Sequence, residues 1–367
     1  MTTTYLPLDQ KPVLGILGGG QLGRMTVEAA ASMGVDCHVF APPGDAPACR
    51  LATATTRAEY SDEAALADFA TRVDAVTTEF ENVPAQIMEH LARHLPVTPG
   101  AKALATAQHR IAEKTLARDC GMTTPDFTAI SHADQLADAM MAMRDGGVLK
   151  TCRFGYDGKG QVRLNADAEM AAWKNGFAAL NSDDCILEEK IDFVAEASFM
   201  IARGHDGSCC HYPPTINDHR DGILARSQAP ADPALLPAER VAEGQAALGR
   251  IAAALDLSGL LAMECFISRD GRLIFNEIAP RPHNSFHWTM QGAATSQFHQ
   301  LVRTSLGLPL GSTQTYGRWE MINLLGEDMA EVPRLLETAG WHLHLYGKAE
   351  ARDGRKMGHA SRYLGAG

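Results

Sequence analysis

Two glutamates on apolar segments and a glycine-rich loop between lysines are the residues of this chain whose types and spacing suggest chemistry. In the run Leu261 to Glu277, the Asp270-Gly271 pair sits between apolar stretches and predicts a two-residue hairpin turn. With Arg269 facing Arg272, counting outward along both strands sets Glu264 opposite Glu277. Facing carboxylates on apolar strands repel, and a divalent cation removes the penalty. Mg²⁺ held by one or two carboxylates and substrate phosphates is the usual arrangement. A solvated ladder of surface charges is the plainer alternative, but Met263, Cys265, Phe266 and Phe275 flank the pair.

The glycine-rich loop runs from Lys150 through Gly155, Tyr156, Asp157, Gly158, Lys159 and Gly160 to Gln161. Closely spaced glycines predict a flexible flap with free backbone N–H groups. Lys150 ends an apolar strand, where an ammonium is costly unless an anion meets it. A polyphosphate accounts for both features, whereas an ordinary Asp-Gly hairpin accounts for Asp157-Gly158 alone. The loop does not match G-x-x-x-x-G-K-[ST], which excludes a P-loop.

A second glycine loop, Gly18-Gly19-Gly20-Gln21-Leu22-Gly23, lies between a strand-like run and a helical stretch. A dinucleotide site also wants an acidic residue about 20 positions on. The next strand instead ends Val39-Phe40-Ala41-Pro42-Pro43. A phosphomonoester at the helix N-terminus and a plain tight turn both stay open. Beyond the hairpin, Arg281 reads as an anion clamp in Ala279-Pro280-Arg281-Pro282-His283-Asn284-Ser285-Phe286-His287. His283 and His287 are spaced four apart, but Pro282 and the missing glutamate argue against an H-E-x-x-H zinc site. Gly354-Arg355-Lys356-Met357-Gly358-His359 is a compact basic loop which, alone, is most simply a solvated turn.

The elements that must position these groups fall into three stretches. Strand and helix alternate up to residue 100: Pro12–Leu17, a helix over Gln21–Met33, strands at Val35–Phe40 and Asp74–Thr78, and a helix over Pro84–His94. That alternation predicts a doubly wound parallel sheet. Ala101–Cys120 reads as one long helix, closed by Gly121 and Pro125. Strands at Val148–Lys150, Gln161–Leu164, Cys185–Ile191, Ala197–Arg203, Leu260–Ser268 and Arg272–Ile278, with a helix over Leu235–Leu255, suggest an antiparallel α+β unit. Runs at 321–325 and 342–346 suggest a small closing sheet. The expected domains are 1–100, 101–310 with a lid at about 125–190, and 311–367.

Composition limits the alternatives. With 33 basic and 44 acidic residues, the net charge of −11 argues against a nucleic-acid-coating surface. The N-terminus lacks the pattern of a signal peptide, and no apolar run is long enough to span a membrane. The eight cysteines show no C-x-x-C spacing and fit reduced core thiols in a cytoplasmic protein.

Taken together, these motifs resemble the ATP-grasp superfamily and, within it, the 5-(carboxyamino)imidazole ribonucleotide synthetases, the biotin-independent carboxylases of purine synthesis. The likeness spans nearly the whole chain: GGGQLGRM at 18–25, EFENVP at 79–84, KTCRFGYDGKGQ at 150–161, DGIL at 221–224, MECF at 263–266, NEIAPRPHNS at 276–285 and GRKMGH at 354–359. It implies an ATP-grasp fold with an N-terminal parallel-sheet domain, a central ATP-grasp domain of antiparallel sheets and a small C-terminal β domain. The implied reaction carboxylates aminoimidazole ribonucleotide with ATP and bicarbonate, releasing ADP and phosphate. Mg²⁺ is implied and biotin is not, and a homodimer is expected.

By the same resemblance, Arg110, Lys150 and Gly155–Gln161 hold the ATP phosphates. Glu188, Glu189, Lys190 and Ile191 line the adenine, with Glu196 on the ribose, His219 nearby, and Asn276 beside the metal ligands Glu264 and Glu277. Gln21, Leu22, Glu81, Asn284 and Ser285 meet the ribonucleotide, and Lys348, Arg355 and Lys356 surround its phosphate. Tyr156, Asp157, Arg281 and His283, with Lys356, surround the carboxylation centre, and either Asp157 or His283 accepts the amine proton. Three positions depart from the pattern: Cys152 stands where a second basic residue is expected, Phe286 replaces a glycine, and Ala279 replaces a metal-binding amide. The nearest rival is a formate-using transformylase of the same superfamily. A nicotinamide oxidoreductase and a non-catalytic nucleotide-binding regulator are the rivals from other classes.

Overall fold

The computed structural model describes residues 11–143, 145–155 and 158–366. The N-terminal part is a five-stranded parallel sheet of β1 (Val13–Leu17), β2 (Asp36–Ala41), β3 (Ala54–Arg57), β4 (Ala75–Thr78) and β5 (Val97–Thr98), in the order β3-β2-β1-β4-β5. Helices α1 (Gln21–Ser32), α2 (Glu63–Ala70) and α3 (Ala85–Leu91) provide crossovers. The strands β1 and β2 are buried almost throughout, as strands covered on both faces must be. Neither β3 nor α2 was anticipated; β3 is a largely exposed edge strand with no apolar run to announce it.

The long helix expected over 101–120 is two helices, α4 (Ala101–Ala107) and α5 (Arg110–Asp119). His109 is extended between them (φ −138°, ψ 109°). Tertiary hydrogen bonds override the local helix propensity here. Arg110 N–H donates to the Cys152 carbonyl at 3.0 Å, and the Gln108 amide donates to the Glu81 and Val83 carbonyls at 2.7 Å each.

A four-stranded sheet follows, ordered β6-β9-β7-β8, from β6 (Phe127–Ile130), β7 (Gly147–Thr151), β8 (Gln161–Leu164) and β9 (Cys185–Glu189). The glycine flap is the β7–β8 connection. The large sheet has eight strands: β10 (Phe193–Arg203), β11 (Cys209–Arg220), β12 (Ile223–Ala229), β13 (Gly259–Ser268), β14 (Leu273–Ala279), β15 (Arg318–Leu324), β16 (Trp341–Leu345) and β17 (Gly358–Gly365), ordered β14-β13-β10-β11-β12-β15-β17-β16. The C-terminal strands expected as a small sheet are thus continuous with the central one, through pairing of β12 with β15. Phe199, Leu261, Met263, Leu248 and Ile251 join the helix Ala238–Ala254 to this sheet in a buried core. The core fixes one face of β13 and β14 and leaves Glu264 and Glu277 on the other. Among the described residues no helix is long and apolar enough to cross a membrane.

Candidate active site

Glu264 and Glu277 are cross-strand partners, as expected, but the register reaches them by another route. The hairpin turn is not two residues long. Ile267 pairs with Leu273, the Ser268 N–H donates to the Arg272 carbonyl, and Gly271 takes φ +77°. That is a three-residue loop whose last position suits glycine. The register is then off by one until a bulge between Glu264 and Cys265 leaves Asn276 as the extra residue and restores the pairing. Directly opposed residues share a face of the sheet, so the two side chains project from the same face. Burial and then the nearby Glu277 push Glu264 up to about 7.

The bulge has a second effect, because α5 reads it. Arg110, Glu113 and Lys114 lie one turn apart on one helix face. Arg110 pairs with Glu277 at 3.1 Å, the Lys114 ammonium donates to the Asn276 carbonyl at 2.7 Å, and Glu113 accepts from the Ile278 N–H at 3.0 Å. Glu113 is 2 % exposed and Lys114 fully buried, and burial followed by Glu277 pushes Glu113 up to about 8. Neither residue was anticipated. A charged pair one helical turn from Ala117, on the face that packs inward, was the only signal available.

Lys150 does have its anion, but that anion is Glu188. The Lys150 ammonium lies 2.9 Å from Glu188 Oε2, while Lys114 lies 3.4 Å from Oε1. Burial alone would raise Glu188, yet the two ammoniums outweigh it and hold the carboxyl below its usual range. Glu188, expected beside the adenine, is therefore a 2 % exposed ion-pair centre, with Glu189, Lys190 and Ile191 following it outward. Gln161 pairs with Lys150 across β7–β8, and Gly155 lies against the Arg110 guanidinium. Gly158 and Gly160 both take positive φ, and Lys159 between them is exposed. Tyr156 and Asp157 lie outside the described residues.

Glu196 and His219 form an ion pair at 2.6 Å; burial opposes the charge, but Glu196 and Glu264 raise the imidazole. Arg281, expected to clamp a substrate anion, pairs with Glu81, which was expected on the ribonucleotide. Burial works against the Glu81 charge, but Arg281 outweighs it and holds the carboxyl low. His283 donates its N–H to Gln297 at 2.8 Å, and its Nδ1 is 2.8 Å from Ser285 Oγ. Its Nε2 lies 3.5 Å from Glu264. Burial, then Arg281 and Lys356, hold this imidazole well below its ordinary range, so it is neutral. Both amide atoms of Asn284 are buried without a hydrogen-bond partner among the described residues. Phe286 is fully buried against Tyr212 and Trp288, and Ala279 is buried behind the pair.

The first glycine loop is occupied from within. Glu79, which had no assigned role, accepts from Gly20 N–H at 2.5 Å and Gly23 N–H at 2.9 Å. A phosphomonoester seated on those donors would meet a carboxylate. Glycine is required for this approach, because a Cβ at Gly20 would lie 2.5 Å from Glu79 Oε1. Gln21 is half-buried and Leu22 buried at the start of α1. The basic loop is no solvated turn: Lys348 donates to the Lys356 carbonyl at 2.7 Å, and Arg355 pairs with Asp45 at 2.7 Å. Burial and then Arg355 pull Lys348 down to about 8. A cleft open to solvent is lined by Glu81, Arg110, Glu113, Glu277, Arg281 and Phe154.

Known protein families match this chain along most of its length. Residues 12–108 match the ribonucleotide synthetase preATP-grasp domain, 115–298 the ATP-grasp domain, and 320–362 the phosphoribosylaminoimidazole carboxylase C-terminal domain. The chain is 42% identical to the N5-carboxyaminoimidazole ribonucleotide synthase of Brucella melitensis, over 95% of each. It is 39% identical to the bifunctional purine synthesis protein purC/E of Dictyostelium discoideum, matching along 97% of its own length and spanning 37% of that longer protein. Its fold resembles the crystal structure of N5-carboxyaminoimidazole synthase from Aspergillus clavatus in complex with ADP and 5-aminoimidazole ribonucleotide, with a TM-score of 0.88 and 26% identity over 97% of this chain and 94% of that one.

Proposed function

The chain belongs to the N5-carboxyaminoimidazole ribonucleotide synthase family of ATP-grasp ligases, and on that premise we propose that it joins a carboxyl group from bicarbonate to the exocyclic amine of 5-aminoimidazole ribonucleotide at the expense of ATP. The observation that carries this reading is the cleft lined by Glu277, Arg110, Gly155, Arg281 and Glu81, with Glu264 paired to Glu277 and His283 3.5 Å from Glu264.

The donor set fits Mg²⁺: two hard oxygen ligands face each other on a half-buried surface, and their repulsion is relieved by a dication. Ala279 offers no further ligand, which leaves those positions to water and phosphate. When bound, Mg²⁺ supplies charge to neutralise the ATP phosphates. Lys150 and the N–H groups of Gly155 to Gly160 cradle the same phosphates, and Arg110 bridges flap and metal strand. Bicarbonate oxygen attacks the γ-phosphorus, ADP leaves, and carboxyphosphate results. The ribonucleotide amine then attacks its carboxyl carbon and inorganic phosphate departs. Arg281, already oriented by Glu81, holds the carboxyl group. Neutral His283 is able to take the amine proton, and Asp157 is the other candidate. Lys348, Arg355 and Lys356 hold the ribose phosphate. We read the enzyme as a homodimer and, consistent with its free thiols, as cytoplasmic.

The decisive experiment measures ADP release with and without the ribonucleotide, in carbonate-depleted and bicarbonate-replete buffer. Turnover that needs ribonucleotide and bicarbonate supports the proposal. Turnover that needs formate instead would transfer the chain to the formyl-transferring ligases, and ribonucleotide-independent turnover would remove the substrate assignment.

A further inference from the structure

We propose that His109, Cys152 and Asp184 form a binding site for a thiophilic divalent cation of the Zn²⁺ class at the root of the flap. Among the described residues, one ligating atom from each of these three side chains lies within 4.8 Å of the other two. A tetrahedral Zn²⁺ with bonds of about 2.0–2.3 Å spaces its ligands about 3.5 Å apart, so only small side-chain movements are needed. His109 Nε2 is 3.5 Å from Asp184 Oδ1.

The grouping is held by main chain. His109 precedes α5, Cys152 follows β7 and Asp184 precedes β9. The Cys152 N–H donates to the Asp184 carbonyl at 2.8 Å, and the Cys152 carbonyl accepts from the Arg110 N–H at 3.0 Å. Solvent reaches the site at Asp184, whose side chain is 48 % exposed, whereas Cys152 is buried at 1 % exposure. His109 Nδ1 is buried and has no hydrogen-bond partner among the described residues. Arg153, 3.8 Å from Asp184 Oδ2, leaves the oxygen nearest His109 available.

One imidazole, one thiolate and one carboxylate make a borderline-soft set with an open fourth position for water. Mg²⁺ takes oxygen ligands in octahedral geometry and is a poor match. On binding, the thiol proton leaves to solvent as sulfur ligates the metal. The site ties the start of α5, and hence Arg110, to the strand end from which the flap departs. Occupancy therefore stiffens the flap root and changes KM for ATP. That consequence rests on the proposed carboxylase reading; the site itself does not.

The test uses the whole chain with Co²⁺ as probe, in excess Mg²⁺ to fill the paired glutamates. A thiolate-to-cobalt charge-transfer absorption should appear, saturate at one Co²⁺ per chain and be displaced by Zn²⁺. Cys152→Ser should abolish it, and His109→Gln and Asp184→Asn should each weaken Co²⁺ binding at least about tenfold. No absorption in the wild type overturns the proposal. So does an absorption that persists in Cys152→Ser, which would report the less buried Cys49, Cys209 or Cys210. Should Cys152→Ser fail to fold, unaltered affinity in the two other variants overturns it equally. None of these outcomes depends on carboxylase turnover.

Discussion

Lys150 shows how far residue-level reasoning carries. An ammonium at the end of an apolar strand requires an anion, and that inference holds. A linear sequence cannot say that the anion is Glu188, brought alongside because β7 and β9 pair, with Lys114 completing the triad from a helix. The triad makes a strong prediction. Glu188→Gln leaves two buried ammoniums without a counter-charge and should destabilise the protein by about 3–5 kcal/mol. Lys150→Met should cost less, since Glu188 keeps Lys114. Urea unfolding of both variants checks the order, and equal costs would discard it. Lys348 supports a second prediction at this scale. Held at about 8 by burial and Arg355, it loses its charge within an accessible pH range. If Lys348 holds the ribose phosphate as proposed, kcat/KM for the ribonucleotide should fall above pH about 8 while KM for ATP stays flat. Lys348→Arg should move that limb to higher pH; an unmoved limb assigns it to another group.

At the scale of elements, the hairpin was legible only in outline. Asp270-Gly271 correctly marks the turn, and apolar flanks correctly mark the strands. The loop length and the bulge at Asn276 each shift the register by one, and the two offset at Glu264 and Glu277. Nothing in the residue types announces the bulge; its reason is tertiary, since it frees the Asn276 carbonyl for Lys114. The paired carboxylates then predict a pH signature. Glu264 has a folded value near 7, above its usual 4.5, so its ionisation opposes folding. Stability from this group is greatest at acid pH and is lost as pH rises through about 7. In metal-free protein, Glu264→Gln should therefore be more stable than wild type at pH 8 and no more stable at pH 5. Mg²⁺-ATP should raise the wild-type melting temperature and not the variant's, with turnover lost. A variant less stable at pH 8 would give Glu264 a structural role instead. Glu277→Gln is a poorer probe, because Arg110 at 3.1 Å would lose its partner.

At the scale of the molecule, the parallel character of the N-terminal sheet was readable from β1, β2 and β4, which are buried and alternate with helices, while the exposed edge strand β3 was not. The eight-stranded sheet was not. The strand β11 carries Pro213, Pro214 and several polar residues, β12 lacks an apolar run, and their order depends on pairing across long stretches of chain. Besides the β12–β15 pairing, a stack of histidines ties the C-terminal strands to the rest, an association that no motif suggested. His359 on β17 lies 4.6 Å from His344 on β16 and 4.6 Å from His287, while its Nδ1 is 3.0 Å from the Tyr346 hydroxyl. His287 adds a hydrogen bond to Gln297 and a ring contact with Phe298. Burial, then the neighbouring rings, hold His287 and His359 well below the ordinary imidazole range, with Lys356 and Arg281 also acting on His287. Both stay neutral in the folded protein, whereas the unfolded chain takes up protons near pH 6.5. Stability from the stack is thus full above about pH 6.5 and is lost below it, at up to about 1.4 kcal/mol per pH unit for each ring kept neutral. Glu113 and Glu264 push the opposite way, gaining stability as pH falls from about 8, so the wild-type profile alone mixes the two. The difference between wild type and His359→Leu removes the shared carboxylates. At pH 8 the variant should be the less stable protein, having lost the Tyr346 hydrogen bond. By pH 5.5 the gap should narrow or reverse, as read from urea midpoints; a gap independent of pH would mean that His359 is not held neutral in the fold.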